Sequence, residues 1–301
     1  MNGTSVRRRR FLLAGSRAAV AAALLARLPG LRAEQRHSQA DTSATVVGLA
    51  FDPAGQVLYK ASERVVHRSA DGGRVWSPVE LPKRSGDSIL ASIAVAAAAP
   101  ASRPALYVAG HGAGVLRSDD GGQSWVERND GLPGTDVAAL TAHADRPETV
   151  YVYVKAHGIY RSEDAGRHWR LMDAGPRGGI TTFIHSNMPG SMQSGWFFVG
   201  GAQGVRRAMD CFCSWRDAGE LGRAVGALAY DPHRPSEIYA APKTGLLFSR
   251  DGGETWSEID APASAIDALT VTPRGEIYAA SQGGGLYVRD TATTPWKRLD
   301  A

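Results

Sequence analysis

Short apolar segments of about four to seven residues recur along the chain, separated by polar turns rich in glycine and proline. Val47–Phe51 and Val225–Tyr230 each end at an Asp-Pro pair, and Tyr151–Val154 and Ile238–Ala241 are rich in β-branched and aromatic residues. Segments of this length and composition are typical of short strands. After residue 40 we find no pattern of a long amphipathic helix. The pattern therefore predicts an all-β protein.

An eight-residue motif, Ser-x-Asp-x-Gly-x-x-Trp, recurs among these segments. Its last residue falls at steps of 40 to 49 residues, which is the signature of tandem structural repeats. Four copies are intact and two are degenerate: Ser69–Trp76, Ser118–Trp125, Ser162–Trp169 and Ser249–Trp256, then Ala208–Trp215 and a copy that ends at Trp296.

Each residue type of the motif has a physical reason to be in a hairpin. The aspartate can accept hydrogen bonds from backbone amides of the turn, the glycine supplies a positive φ, and the tryptophan buries a large apolar area between sheets. We assign this structural role to Asp71, Asp120, Asp164, Asp210 and Asp251, and to Trp76, Trp125, Trp169, Trp215, Trp256 and Trp296.

The motif matches the Asp-box (BNR) repeat. The chain resembles propellers of the sialidase-like and sortilin-like superfamily, and in repeat type it is most similar to photosystem II stability and assembly-factor-like proteins. The resemblance implies an all-β propeller of four-stranded antiparallel blades, with six blades expected and seven as the alternative. We place the propeller at residues 41–301, with approximate blades 43–82, 88–131, 135–173, 178–219, 223–260 and 264–300.

Residues 1–40 have the pattern of a signal peptide. Arg8-Arg9-Arg10-Phe11-Leu12 resembles the twin-arginine motif, an Ala/Leu segment follows, and cleavage is expected near Ala40. We therefore expect a periplasmic or secreted protein with no transmembrane anchor after cleavage. Eight of the 34 basic residues and one of the 30 acidic residues lie in this leader, so the remainder carries a net charge of −3. Such a charge argues against a nucleic-acid partner.

The face opposite the Asp boxes is the first place to look for a ligand site. The resemblance implies that this upper face, formed by the B–C turns and the D–A connections, holds the active site in related enzymes. The binding candidates there are His111, His157, Lys243 and Gln282. The alternative for the two histidines is that a turn-tolerant residue recurs through duplication. Sialidases also need three convergent arginines, a tyrosine nucleophile and a Phe-Arg-Ile-Pro element, and the sequence lacks that element.

Blade four departs most from the repeat. Phe212 occupies the glycine position and Ala208 the serine position, and the only two cysteines flank Phe212. The A–B loop of this blade should lie on the same face as its C–D turn. A Cu(I) site is one hypothesis for the resulting cluster; the alternatives are a disulfide or inert thiols, and a partner-docking patch. The ligand candidates are His185, Met188, Met192, Met209, Cys211 and Cys213.

The function that we predict is that of an exported, non-catalytic scaffold or assembly factor. Its partner would be another exported or membrane-associated protein, and no cofactor other than copper is suggested. The alternative is a carbohydrate-active enzyme of the sialidase-like type. Because a fold hosts many functions, the repeat alone does not decide between them.

Overall fold

The computed structural model describes residues 45–54, 56–83, 88–97 and 103–299. Within these ranges the chain forms 24 β-strands and no helix. The predicted all-β class is therefore confirmed. The twin-arginine leader predicted at residues 1–40 lies outside the described residues.

The first three blades contain twelve strands. They are β1 (Val46–Asp52), β2 (Val57–Ser62), β3 (Val66–Ser69), β4 (Ser77–Val79), β5 (Ile89–Val95), β6 (Leu106–His111), β7 (Gly114–Ser118), β8 (Val126–Glu127), β9 (Val137–Ala142), β10 (Val150–Val154), β11 (Gly158–Ser162) and β12 (Arg170–Asp173).

The last three blades contain the other twelve. They are β13 (Thr182–Ser186), β14 (Trp196–Gly201), β15 (Gly204–Met209), β16 (Arg216–Asp217), β17 (Val225–Asp231), β18 (Arg234–Pro242), β19 (Leu246–Ser249), β20 (Ser257–Ile259), β21 (Ile266–Val271), β22 (Ile277–Ser281), β23 (Leu286–Arg289) and β24 (Lys297–Arg298).

Each blade is an antiparallel meander of four consecutive strands, named A to D from the inside outward. The six A strands contact one another in sequence, and β21 contacts β1, so six blades form a closed ring. The six-bladed prediction is confirmed. Because every described sheet contains only consecutive strands, side-chain packing and not a shared strand joins the last blade to the first.

Apolar side chains fill the space between neighbouring blades. At the closing interface Leu49 and Leu58 of blade one pack with Tyr278 and Leu286 of blade six, with Trp76 at the margin. The A strands also surround a central channel with a volume of about 290 Å³. Its walls come from all six blades, since residues of β1, β5, β9, β13, β17 and β21 line it.

The turns divide into two faces. On the Asp-box face, A–B turns contact C–D turns; for example, the Ala165 amide donates to the Glu148 carbonyl at 2.7 Å. On the upper face, B–C turns contact D–A connections; for example, the Gln282 amide donates to the Ala265 carbonyl at 2.8 Å.

The degenerate turn of blade six is rebuilt around an arginine. Arg289 stands where the motif has serine and is 1% exposed. Its guanidinium lies 4.9 Å from the Trp296 ring and donates to the carbonyls of Thr291 and Asp260. Backbone acceptors and an aromatic ring thus replace the lost aspartate and glycine.

Candidate functional site on blade four

The intact Asp boxes share one hydrogen-bond arrangement. In blade one the Ser69 hydroxyl donates to Asp71 Oδ1 at 2.6 Å and accepts from the Gly73 amide at 2.8 Å. Asp71 Oδ1 also accepts from the amides of Arg74 and Val75, and Gly73 has a φ of 92°. Blades two, three and five repeat the serine–aspartate–glycine contacts. This arrangement closes the turn with protein groups alone.

The box tryptophans join each blade to the preceding one. In blades two, three, five and six the indole N–H donates to a backbone carbonyl just after the D strand of the previous blade. In blade four the indole N–H donates to the carboxylate of a residue at the end of that strand. The pairs are Trp125 to Glu80, Trp169 to Arg128, Trp256 to Ala218, Trp296 to Asp260, and Trp215 to Asp173 Oδ1 at 2.7 Å.

In blade four the aspartate serves a different segment. Ala208 has no hydroxyl to hold Asp210, and Asp210 Oδ2 instead accepts from the amide of Ser194 at 2.8 Å and from its hydroxyl at 2.6 Å. The Asp210 amide donates to the Gly195 carbonyl at 3.1 Å. The carboxylate therefore fastens the C–D turn to the long A–B loop, which continues from β13.

A left-handed phenylalanine and a disulfide shape the rest of this turn. Phe212 has a φ of 56°, a region that side-chain-bearing residues adopt at a cost of about 1 kcal/mol or more. Its ring is 9% exposed and stacks on Phe197 at 4.8 Å. Cys211 and Cys213 are joined in a disulfide with their Cα atoms 5.3 Å apart. Of the alternatives that the sequence left open for the cysteines, the structure has the disulfide.

Two buried histidines adjoin the Asp210 carboxylate. His143 and His185 are each 1% exposed, Asp210 is 2% exposed, and the two imidazole centroids are 4.0 Å apart. His143 Nε2 is 2.7 Å from the Ser194 hydroxyl, which in turn donates to Asp210. A chain of polar groups thus runs from blade three into the irregular turn of blade four.

Backbone amides fix the tautomer of both rings. His143 Nδ1 accepts from the amides of Asp145 and Arg146, and His185 Nδ1 accepts from the amide of Ala144 at 3.1 Å. A neutral imidazole with an accepting Nδ1 carries its proton on Nε2. Both Nε2 atoms therefore carry the ring proton, and the proton of His143 points to the Ser194 hydroxyl.

Burial keeps both rings neutral. Desolvation lowers the pKa of His143 to about 4. Desolvation, followed by repulsion from His143 and Arg146, lowers the pKa of His185 to about 2. At neutral pH the pair is therefore two neutral imidazoles beside a carboxylate, and His143 donates from Nε2 to the Ser194 hydroxyl.

His143, His185 and Asp210 have the composition of a metal site, and their ligand atoms lie within 4.8 Å of one another. His185 Nε2 and Asp210 Oδ1 also lack hydrogen-bond partners among the described residues. However, metal-ligating histidines normally donate their second ring N–H to an acceptor. Here both second nitrogens face N–H donors, so a metal at Nε2 would require imidazolates. We therefore interpret the cluster as a hydrogen-bonded support for the turn.

The residues of the copper hypothesis lie in different environments. The His185 ring lies 4.0 Å from the His143 ring, Met188 is buried between blades four and five, and Met192 is 75% exposed. Met209 is half-buried at the end of β15. Because the two cysteine sulfurs are bonded to each other, thiolate ligation of Cu(I) would require the reduced protein.

The upper-face candidates are exposed or half-exposed side chains. His111 Nδ1 is paired with Asp136 of the following D–A connection. His157, Lys243 and Gln282 are exposed.

His143 and Ser194 were not identified from the sequence. A signal for His143 was present, because it follows β9 at the A–B turn, where Asp52 and Asp231 stand in blades one and five. Those carboxylates accept turn amides at 2.8 Å, and His143 Nδ1 does the same. For Ser194 the sequence held no comparable signal, since its contact depends on the fold of a loop.

The closed ring and its turns define the class of this protein as an Asp-box β-propeller. A BNR/Asp-box repeat model matches residues 247–258. The family model described as Photosynthesis system II assembly factor YCF48 matches residues 32–190, more than half of the chain. The chain belongs to this family, and the predicted resemblance is confirmed. A sequence comparison with curated proteins found no match.

Solved structures show the same fold at low sequence identity. A GH74 xyloglucanase from Xanthomonas campestris is 23% identical with a TM-score of 0.57; the match covers 85% of this chain and 47% of that one, so this chain spans about half its length. YCF48 bound to D1 peptide is 18% identical, with a TM-score of 0.54 and coverages of 86% and 83%. YCF48 from Cyanidioschyzon merolae has the same identity and TM-score, with coverages of 86% and 86%.

Proposed function

We propose that this chain is an exported, non-catalytic assembly factor that binds another exported or membrane-associated protein. The observation that carries the proposal is the YCF48 family match over residues 32–190. One YCF48 structure of the same fold is described as bound to D1 peptide, which supports a polypeptide as the class of ligand. Among the described residues no helix is long and apolar enough to span a membrane.

The irregular edge of blade four is the surface that we assign to the partner. Met192 is exposed on the A–B loop, and a flexible thioether adapts to apolar partner groups. Two residues further along the loop, Ser194 is held by the buried Asp210 carboxylate. A loop fixed before association loses little conformational entropy when a partner binds.

A photo-crosslinking amino acid at Met192 tests this assignment. The matched control is the same amino acid at Val75, which is 65% exposed in the Asp box of blade one. After irradiation of exporting cells, we expect a discrete adduct to one exported or membrane protein at position 192 and none at position 75. Equal adducts at both positions, or none at either, would contradict the assignment.

The enzymatic alternative has a separate test. The likeness to the xyloglucanase concerns the fold at 23% identity and transfers no activity. Purified protein is expected to release no reducing sugar from xyloglucan and no sialic acid from a sialoside. Measurable turnover that is lost on replacing an upper-face carboxylate, with the photo-adduct retained, would establish an enzyme.

Copper binding remains a prediction about the reduced protein. Cu(I) stoichiometry measured for reduced parent and for a Cys211→Ser/Cys213→Ser variant tests it. A site with thiolate ligands requires one Cu(I) in the parent and none in the variant. Equal affinity in both would rule out the cysteines as ligands.

A further inference from the structure

We propose that the Cys211–Cys213 disulfide is a thiol-exchange site that oxidises a pair of cysteines in an exported polypeptide. A C–D turn of this fold does not need a disulfide to close. Four other blades close the equivalent turn with serine and aspartate side chains and no cysteine. A bridge between residues two apart also closes a very short loop, which restricts the unfolded chain little.

Contacts on both sides would hold the turn after the sulfur–sulfur bond opens. Asp210 is fastened to Ser194, and the Phe212 ring is stacked on Phe197. The Trp215 indole donates to the Asp173 carboxylate at 2.7 Å. None of these contacts uses a cysteine side chain. Reduction is therefore a local event that leaves the blade folded and the two thiols near each other.

Cys211 and Cys213 differ in their exposure to solvent. Cys213 is exposed and Cys211 is half-buried. In thiol–disulfide exchange a thiolate attacks one sulfur and the other leaves, and access decides which sulfur is attacked. An incoming thiolate is therefore expected to attack Cys213 and release Cys211.

The exchange balances with a dithiol substrate. The first substrate thiolate forms a bond to Cys213 Sγ, the Cys211–Cys213 bond breaks, and Cys211 leaves as a thiolate that takes up a proton. The second substrate thiolate then attacks the sulfur of the first and releases Cys213. The substrate loses two electrons and two protons and gains a disulfide, and the protein ends with two thiols. A polypeptide suits the site because Met192 of the adjoining loop is exposed and its thioether adapts to apolar groups, a choice of substrate that rests on the proposed function.

A reduced model peptide with two cysteines is the probe for this reaction. The oxidised protein is mixed with one equivalent of peptide, quenched with acid, alkylated and weighed by mass spectrometry. We expect the protein to gain two alkyl groups while the peptide gains none, with the melting temperature of the reduced protein within about 2 °C of the oxidised form. A Cys211→Ser/Cys213→Ser variant should leave the peptide reduced.

Single variants test the direction of attack. With an aromatic disulfide reagent, the Cys213 thiol of Cys211→Ser is expected to react at least tenfold faster than the Cys211 thiol of Cys213→Ser, because access limits the reaction. The exchange proposal is overturned if the parent leaves the peptide reduced or if reduction unfolds blade four. Equal rates in the two single variants would overturn the assignment of Cys213 as the attacked residue. The photo-crosslinking experiment is independent of these outcomes, so each proposal can fail alone.

Discussion

In an intact Asp box, a serine hydroxyl and an aspartate carboxylate complete one turn together. The hydrogen bond from the Ser69 hydroxyl, followed by that from the Val75 amide, lowers the pKa of Asp71. In blade two the hydroxyl of Ser124 has the largest such effect on the pKa of Asp120. A carboxylate that accepts several N–H and O–H groups stays charged well into acid. The intact boxes should therefore keep their shape at mildly acidic pH.

The box tryptophan contributes both area and a donor, and two variants of Trp169 separate them. Trp169 is 6% exposed and its N–H donates to the Arg128 carbonyl at 2.8 Å. Trp169→Ala should lower the free energy of unfolding by about 3–5 kcal/mol. Trp169→Phe keeps most of the area and should lose less, at most about 1–3 kcal/mol, because the Arg128 carbonyl left without its donor is part-buried. Urea denaturation measures both; a Trp169→Phe variant as stable as the parent would show that the indole N–H contributes little.

At the scale of elements, the A–B loop and C–D turn of blade four form one unit held by Ser194. Ser194→Ala removes the hydroxyl that lies between His143 Nε2 and Asp210 Oδ2. The buried carboxylate would keep the Ser194 amide but lose its hydroxyl donor, at an expected cost of about 1–3 kcal/mol. Ser214→Ala, at an exposed serine of the same turn, is the matched control. Thermal unfolding compares the two, and similar melting temperatures would contradict the described network.

The histidine pair should make this unit sensitive to acid. Because the folded pKa of His143 is about 4 and that of the unfolded side chain is about 6.5, the unfolded state binds more protons between these values. Stability is then unaffected above pH 6.5 and falls as the pH drops below it. The slope is at most about 1.4 kcal/mol per pH unit for each histidine.

A variant of His185 provides the measurement. His185→Asn keeps an acceptor for the Ala144 amide and removes the titrating ring, so the fall in unfolding free energy between pH 6.5 and 4 should become shallower. His157→Asn, at an exposed histidine, should leave the slope unchanged. An unchanged slope in His185→Asn would mean that its ring does not limit acid stability.

Elements with a repeating pattern were predictable, and those that depend on a single contact were not. The strands follow from short apolar segments separated by polar turns, and the Asp-box turns follow from Ser, Asp, Gly and Trp at fixed spacing. The side-by-side position of the A–B loop and C–D turn of blade four also followed from the blade's topology. The side chains that meet there could not be predicted. Met188 packs between blades four and five, and His185 packs against His143. Both outcomes are decided by packing between blades, which a single repeat does not encode.

At the scale of the whole molecule, the ring closes without strand exchange. Leu58 and Leu286, both buried, belong to the apolar cluster that joins blade one to blade six. The last blade must therefore be synthesised and folded before the ring can close. A protein of this kind suits an export route that carries folded chains, which is the route that the Arg8-Arg9 pair predicts.

Export and the redox state of the cysteines should change together. Disulfides are rare in the reducing cytoplasm and persist in oxidising compartments, so the precursor should carry two thiols and the exported protein a disulfide. Replacing Arg8 and Arg9 by lysine is expected to retain the precursor, and a maleimide added after the acid-quenched cells are neutralised in denaturant should label it twice. The exported parent should take no label until it is reduced.

A control substitution of Arg17 by lysine leaves the paired arginines intact and should export normally. Unimpaired export of the Arg8→Lys/Arg9→Lys variant would refute the twin-arginine route. Double labelling of the exported parent after its isolation and air oxidation would refute the disulfide, because a protein that has only passed its disulfide to a substrate would regain it.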